Sequence, residues 1–166
     1  YAAEARVSPA SMGEFRTKRL NIWTSAKSAW LNMELWRHCA GPVVLTELVS
    51  EPCWAGLDLA STDDIAAFVL VWRVDGRLKV WGRYYLPEDI IEEAGRDHYR
   101  GWALADPPKL ILTPGNMIDF GRIEDDIDEL RSTYTIEEIT FDPAQATMLM
   151  TRLMAKGANV SEFMQS

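Results

Sequence analysis

The sequence has little of what zinc-binding, membrane-spanning and nucleotide-hydrolysing proteins use. Its two cysteines, Cys39 and Cys53, show no CxxC spacing, and with only two histidines a structural zinc site is not expected. It contains no apolar run long enough to cross a bilayer and no signal-peptide pattern. It also lacks a G-x-x-x-x-G-K-[S/T] loop and a G-x-S-x-G elbow. These absences favour a reduced, intracellular setting and disfavour a P-loop ATPase.

Charge is distributed unevenly along the 166 residues, and its sum points away from nucleic acid. The net charge is −8, which would repel a phosphate backbone. Residues 1–40 carry six Lys or Arg against three Asp or Glu, whereas residues 88–142 carry fifteen acids against five bases. An acidic half can reflect metal ligands together with solvated helix faces, and a basic arm can contact phosphates. Charge alone therefore does not decide the partner.

Residues 1–50 are predicted to form a linker followed by a helical arm. From Ile22 the apolar residues recur every three or four positions, which predicts an amphipathic helix with Trp30 and Trp36 on its packed face. Gly41-Pro42 would end this helix. Because the chain begins at Tyr1 rather than at a methionine, we expect it to be a piece of a longer protein.

Residues 51–166 show a pattern of strands followed by alternating helices and strands. Asp75-Gly76 between two strand patterns predicts a type I′ hairpin. The apolar run at 65–74 predicts a strand covered on both faces. The order predicts an α/β fold of the RNase H-like type, a mixed sheet whose first three strands are antiparallel, flanked by helices. The predicted strands are 54–59, 65–74, 78–86, 109–112, 136–141 and 158–163, and the predicted helices are 87–99, 143–156 and one capped by Asp119.

Two aspartates at strand ends are the strongest indication of chemistry. Asp58 closes an apolar strand, and Asp142 closes the strand at 136–141. A carboxylate on an apolar strand is costly to bury as an anion unless it is hydrogen-bonded or binds a metal. If the two strands are neighbours, the two like charges meet, and such a pair persists best around a divalent cation. The pattern therefore predicts the beginning of a metal-dependent hydrolase site.

Local sequence also offers structural roles for several acids. Asp142 precedes Pro143 and Gln145 in an arrangement typical of a helix start, with Asp142 as the N-cap. This role is compatible with a ligand role, because ligands bind at the carboxyl ends of strands in open α/β sheets. Asp63 and Asp64 have the sequence context of turn residues. Five further acids are predicted to form a solvated helix face: Glu124, Asp125, Asp126, Asp128 and Glu129.

Taken together, the motifs resemble a known family. The chain is similar to the nuclease domain of large terminase subunits of tailed bacteriophages, the DNA-packaging motors. The matching motifs occur in order along almost the whole chain: residues 15–23 (FRTKRLNIW), 56–60 (GLDLA), Asp64 with 65–67 (IAA), 85–88 (YLPE), 113–119 (TPGNMID) and 141–142 (FD).

The resemblance implies an RNase H-like nuclease domain at residues 51–166, incomplete at its C-terminus. Such a domain hydrolyses phosphodiester bonds of concatemeric double-stranded DNA with two Mg²⁺ or Mn²⁺ ions. By resemblance, Asp58 and Asp142 are catalytic metal ligands and Asp64 is a further metal ligand. The family's last acidic ligand falls beyond Ser166, so we expect weak or absent cleavage by this chain. Tyr85 also departs from the pattern, since many relatives have Trp there.

The resemblance also implies a setting and partners. They are the portal, the small terminase subunit and the ATPase domain of the same full-length chain, in the cytoplasm of a bacterial host and without a membrane. An alternative is a non-catalytic docking module that binds the portal or other terminase parts through the basic arm and its Trp-rich helix. An actin-type nucleotide-binding domain is disfavoured, because Asp75-Gly76 is a lone turn and not a phosphate loop.

Overall fold

The computed structural model describes residues 15, 17–20, 33–92 and 97–163. The chain divides into two compact units, residues 1–42 and 43–166. In the first unit, helix α1 spans Met33–His38 and has no buried side chain. Trp36 is 60% exposed, so the prediction that it packs in a helix core is wrong. Ile22 and Trp30, on which the rest of that predicted helix depends, lie outside the described residues.

The second unit is built on a mixed sheet of six strands in the order β4-β3-β2-β1-β5-β6. The first three strands pair antiparallel, whereas β1 pairs with β5, β3 with β4 and β5 with β6 in parallel. This arrangement confirms the predicted mixed sheet. The strands are β1 Cys53–Asp58, β2 Ala66–Val74, β3 Arg77–Pro87, β4 Ile111–Thr113, β5 Ile136–Phe141 and β6 Val160–Glu162.

The hairpin between β2 and β3 has the predicted turn. Asp75 and Gly76 have φ angles of 51° and 72°, the left-handed values that both central positions of a type I′ turn require. Glycine adopts such a value without a steric penalty, and Asp tolerates it better than most residues do. The turn sets the register of the long antiparallel pair, from Val74 opposite Arg77 to Ala66 opposite Tyr85.

Three longer helices and two short 3-10 helices complete the unit. The prediction of one α-helix from residue 87 is wrong, because Pro87 is the last residue of β3 and a 3-10 helix follows it. Residues 93–96, in the middle of the helix predicted at 87–99, lie outside the described part of the chain. The α-helices are α2 Asp97–Ala103, α3 Phe120–Thr133 and α4 Pro143–Ala155, and the 3-10 helices are Leu45–Glu47 and Glu88–Glu92.

Helix α3 begins as the sequence predicts. The side chain of Asp119 accepts hydrogen bonds from the backbone N–H of Gly121 at 2.8 Å and of Arg122 at 3.3 Å, which makes it the N-cap. The apolar stripe on the inner side of α3 is buried, and Tyr134 closes the helix and packs edge-on against Trp72. The buried members of the stripe are Ile123, Ile127 and Leu130.

The two faces of the sheet are covered very differently. Helices α3 and α4 pack on one face and form the main core with the inward residues of β1, β2 and β5. On the other face, the 3-10 helix Glu88–Glu92 and α2 cover only the β4 end, over Leu86 and Leu110. Elsewhere on that side, β2 is half-buried at Ala67, Val69 and Val71, so the prediction of a strand covered on both faces is wrong for the described residues. We call this side of β1, β2 and β3 the open face.

Two of the acids predicted to be solvated are instead buried. Glu124 and Asp126 lie on the inner side of α3 and are only 9% and 5% exposed. Asp126 accepts a hydrogen bond from the Tyr85 hydroxyl at 2.8 Å, and burial together with this bond raises the pKa of Tyr85. Glu124 pairs with Lys156 at 2.7 Å and Arg152 at 3.1 Å on α4. Because both acids have charged or hydroxyl partners from other elements, they can be buried as anions.

Candidate metal centre

One edge of the sheet collects the ends of five strands. Strands β1, β3, β4, β5 and β6 run in the same direction and β2 runs against them, so their carboxyl ends lie together with the start of β2. The loops that leave this edge are hydrogen-bonded to one another. The Ile118 N–H donates to the Ser61 carbonyl at 3.0 Å, and the Gly115 N–H donates to the Glu88 carboxylate at 3.1 Å. We call it the carboxyl edge.

Asp58 lies at the carboxyl edge and projects to the open face. Strand β1 alternates strictly, with Cys53, Ala55 and Leu57 buried and the residues between them exposed. Asp58 is exposed, so the expectation of a carboxylate buried at the end of an apolar strand is wrong. Within the described residues no side chain or backbone group bonds to its carboxylate. The carboxylate is therefore available to an external ligand.

Asp142 directly follows β5, the strand that pairs with β1 in parallel. The parallel register aligns Leu57 with Phe141, the last pair before the two aspartates. If the same register continued for one more residue, Asp58 and Asp142 would be neighbours on strands about 4.8 Å apart. Asp142 is half-buried and directly precedes Pro143, the first residue of α4, so it also occupies the N-cap position that the sequence predicts.

Asp64 lies in the loop between β1 and β2, at the same edge of the sheet. It is exposed and comes three residues before Ala67, which pairs with Asp58. Across the described ranges, no three side chains of His, Cys, Asp or Glu gather closely enough to hold a metal ion. The register ends one residue before both Asp58 and Asp142, and ligand roles for Asp58, Asp142 and Asp64 stay predictions.

The donor chemistry of the two aspartates fits a hard divalent cation. Both supply carboxylate oxygens, which suit Mg²⁺ and Mn²⁺ better than zinc. Further acids occupy the loops of the carboxyl edge: Asp63, Asp64, Glu88, Asp89 and Asp119. Of these, Glu88 and Asp119 already accept backbone hydrogen bonds. An edge of this composition attracts cations and repels phosphate unless a cation lies between them.

The sequence reasoning missed the residues that surround Asp58 on the open face. The antiparallel register places Ala67 opposite Asp58 and Tyr84 opposite Ala67. One pair further from the edge, Gly56 and Gly82 lie on either side of Val69. The register of the two strand pairs was needed to find them, because directly opposed residues share a face and alternate residues of one strand project to the same side.

Comparisons with known proteins agree with this architecture. The family model described as "Terminase large subunit, endonuclease domain" matches residues 2–166. Protein YmfN of Escherichia coli (strain K12) is 26% identical over 163 residues, covering 92% of this chain and 36% of that protein. The large terminase subunit of Enterobacteria phage HK97 is 27% identical over 145 residues, covering 85% of this chain and 28% of that protein.

A solved structure extends the likeness to three dimensions. The crystal structure of the HK97 bacteriophage large terminase superposes with a TM-score of 0.67 at 25% sequence identity. The match covers 99% of this chain and 35% of that one. The chain thus spans about a third of the length of these relatives. None of the helices in the described ranges is both long and apolar enough to cross a membrane.

Proposed function

Because the chain belongs to the terminase large subunit endonuclease family, we propose that it is a metal-dependent endonuclease that hydrolyses phosphodiester bonds of double-stranded DNA. The observation that supports the proposal is the β1–β5 register, in which Asp58 and Asp142 directly follow the last paired residues, Leu57 and Phe141, at the carboxyl edge. Two neighbouring carboxylates repel unless a cation lies between them, and no described group offsets the charge of Asp58. A divalent cation is therefore the simplest ligand of the pair.

In this proposal three acids are metal ligands. Asp58, on the central strand β1, together with Asp142 and Asp64, would hold the Mg²⁺ or Mn²⁺ ions through carboxylate oxygens. When bound, the ions activate a water molecule and stabilise the leaving oxygen of the phosphodiester. The parallel pairing of β1 with β5, up to Leu57 and Phe141, holds the backbone segments that lead into the two aspartates side by side. The Thr140 hydroxyl reinforces the pair by donating to the Ala55 carbonyl at 3.3 Å.

The family suggests the context in which such an enzyme works. We propose concatemeric phage DNA as the substrate of the intact protein, with the portal, the small terminase subunit and an ATPase domain of the same full-length chain as partners. The site of action would be the cytoplasm of a bacterial host that carries a phage or a prophage.

A metal titration tests the proposal most directly. Calorimetric titration with Mn²⁺ should show binding to the unmodified chain and lose it in Asp58→Asn, which removes one charge from an exposed position. Asp125→Asn is the matched control, because Asp125 is an exposed acid on α3, away from the carboxyl edge. Equal Mn²⁺ binding by the unmodified chain and Asp58→Asn would contradict the assignment of Asp58.

A docking module is the second candidate, and one observation favours it. Helix α1 exposes Met33, Leu35 and Trp36, and exposed apolar side chains in a cluster often mark a protein interface. A docking module predicts that a Met33, Leu35 and Trp36 triple substitution by Ser abolishes co-purification with the portal. It predicts no consequence of Asp58→Asn for Mn²⁺ binding or DNA cleavage.

A further inference from the structure

Tyr84 lies in the same cross-strand row as Asp58 on the open face, with only Ala67 between them. We propose that Tyr84 is a substrate-contacting residue whose hydroxyl donates a hydrogen bond to a phosphate of the bound DNA. The inference rests on the proposed nuclease function. Directly paired residues of antiparallel strands project to the same face, and two strand spacings separate Tyr84 from Asp58 by about 10 Å.

The absence of a side chain at Gly82 leaves room for the ring of Tyr84 to lie over the sheet. A Cβ added at Gly82 would lie 2.9 Å from the Tyr84 Oη and 3.0 Å from its Cζ, closer than real Cβ contacts allow. The phenol end therefore occupies the space above the Gly82 backbone, next to a methyl group of Val69. The ring thus lies along the strand, and the residue remains 39% exposed.

The hydroxyl of Tyr84 makes no hydrogen bond within the described part of the protein. Nothing described there accepts or donates a hydrogen bond to it, whereas the next hydroxyl in the chain, that of Tyr85, is bonded to Asp126 at 2.8 Å. An exposed phenol is an O–H donor without charge, and tyrosine hydroxyls are among the groups that contact DNA phosphates. The Tyr84 ring thus presents a hydroxyl donor, which has no partner among the described residues, on the same face as Asp58.

A neutral donor suits this position better than a cationic one. An Arg or Lys within reach of Asp58 and Asp142 would pair with their carboxylates and compete with the metal ions. A tyrosine binds phosphate oxygen without that competition. The Tyr84 hydroxyl lies over Gly82, two residues along β3 from the row of Asp58, so the contact falls about 12 Å from Asp58. Because each nucleotide of one strand rises 3.4 Å along duplex DNA, this distance spans about four nucleotides.

The test removes a single oxygen atom, the hydroxyl of Tyr84. Tyr84→Phe removes the hydroxyl and keeps the ring over Gly82. Tyr134→Phe is the matched control, because Tyr134 packs edge-on against Trp72 on the other face of the sheet, at 5.6 Å between ring centroids. The affinity for a duplex of about 30 base pairs is measured by fluorescence anisotropy with Ca²⁺ present. We expect Tyr84→Phe to weaken binding about tenfold, the loss typical of a hydrogen bond to a charged group, and Tyr134→Phe to leave it unchanged.

Two further readouts separate a phosphate contact from a general structural effect. The slope of log affinity against log salt should be the same in Tyr84→Phe and the unmodified chain, because a neutral contact releases no counterion. Mn²⁺ binding should also be unchanged, since both aspartates remain.

The inference about Tyr84 is overturned if Tyr84→Phe binds DNA as tightly as the unmodified chain, if it alters Mn²⁺ binding, or if the unmodified chain binds no duplex. The nuclease proposal fails separately, if Asp58→Asn keeps both Mn²⁺ binding and cleavage.

Discussion

Removing the carboxylate of Asp126 should destabilise the protein more than removing an exposed carboxylate of the same helix. Its oxygens accept hydrogen bonds from the Tyr85 hydroxyl at 2.8 Å and the Arg122 Nε at 3.0 Å, and one lies 3.1 Å from Nη1 of Arg83. Truncating one member of a buried charged network costs about 3–5 kcal/mol of unfolding free energy. We expect the lower end, about 3 kcal/mol, for Asp126→Ala because Arg83 keeps its pairing with Glu129 at 2.8 Å.

Urea unfolding followed by tryptophan fluorescence measures this loss. The matched control is Asp125→Ala, because Asp125 is the exposed neighbour of Asp126 on the same helix. We expect the control to change the unfolding free energy by less than about 0.5 kcal/mol. A loss of about 3 kcal/mol in Asp126→Ala also corresponds to a fall of about 6–12 °C in the thermal midpoint.

A double-mutant cycle assigns the share of this loss that comes from Tyr85. Tyr85→Phe alone should cost about 1–2 kcal/mol, because it leaves the carboxylate of Asp126 with its two arginines. The double variant Tyr85→Phe/Asp126→Ala should cost less than the sum of the single changes, since both remove the same hydrogen bond. If Asp126→Ala costs no more than Asp125→Ala, the reasoning that α3 is held to β3 by a buried network is refuted.

Two other predictions concern charge and reactivity. Hydrogen bonds from Lys156 and Arg152 lower the pKa of Glu124 in the folded protein. The ionised carboxylate therefore contributes to stability above its unfolded-state pKa of about 4.3, and this contribution is lost as the pH falls through the lower pKa of the folded state. The difference in unfolding free energy between the unmodified chain and Glu124→Gln should therefore shrink as the pH falls below about 4, and a difference independent of pH would contradict the ion pairs. Burial raises the pKa of the Cys53 thiol to about 11. At pH 8 an alkylating reagent should therefore modify the exposed Cys39 and react with Cys53 only when the protein unfolds. Equal alkylation rates of the two cysteines, measured by mass spectrometry, would contradict the burial of Cys53.

The parts of the fold that depend on local sequence were predictable. Strand β5 spans Ile136–Phe141 as predicted, because this short segment with Ile and Phe at its apolar positions is bounded by a helix end and by Asp142-Pro143. The hairpin at Asp75-Gly76 and the N-cap Asp119 were predictable for the same reason, since each depends on a few adjacent residues. The order of these elements along the chain, together with the handedness of crossover connections, then restricted the possible sheets to a few.

What the sequence did not predict depends on distant partners. Glu124 and Asp126 have the local pattern of a solvated helix face, and only the approach of α4 and β3 makes their burial possible. The open face was also unexpected, because an apolar run such as 65–74 has the same pattern whether one or both faces of the strand are covered. For the candidate site, the sequence identified Asp58 and Asp142, whereas Tyr84 became visible only once the register of β2 with β3 was known.

The parallel pairing of β1 with β5 also determines when the two aspartates can meet. Strand β2 can pair with β3 once β3 has followed the Asp75-Gly76 turn, and β1 can pair with β2. The parallel partner of β1, by contrast, is a strand that follows two α-helices and β4. Closing so long a segment is the slow part of forming such a sheet. A nascent chain that has not reached Asp142 therefore has only one of the two carboxylates, and a ribosome-bound fragment cannot assemble the pair before nearly the whole sheet exists.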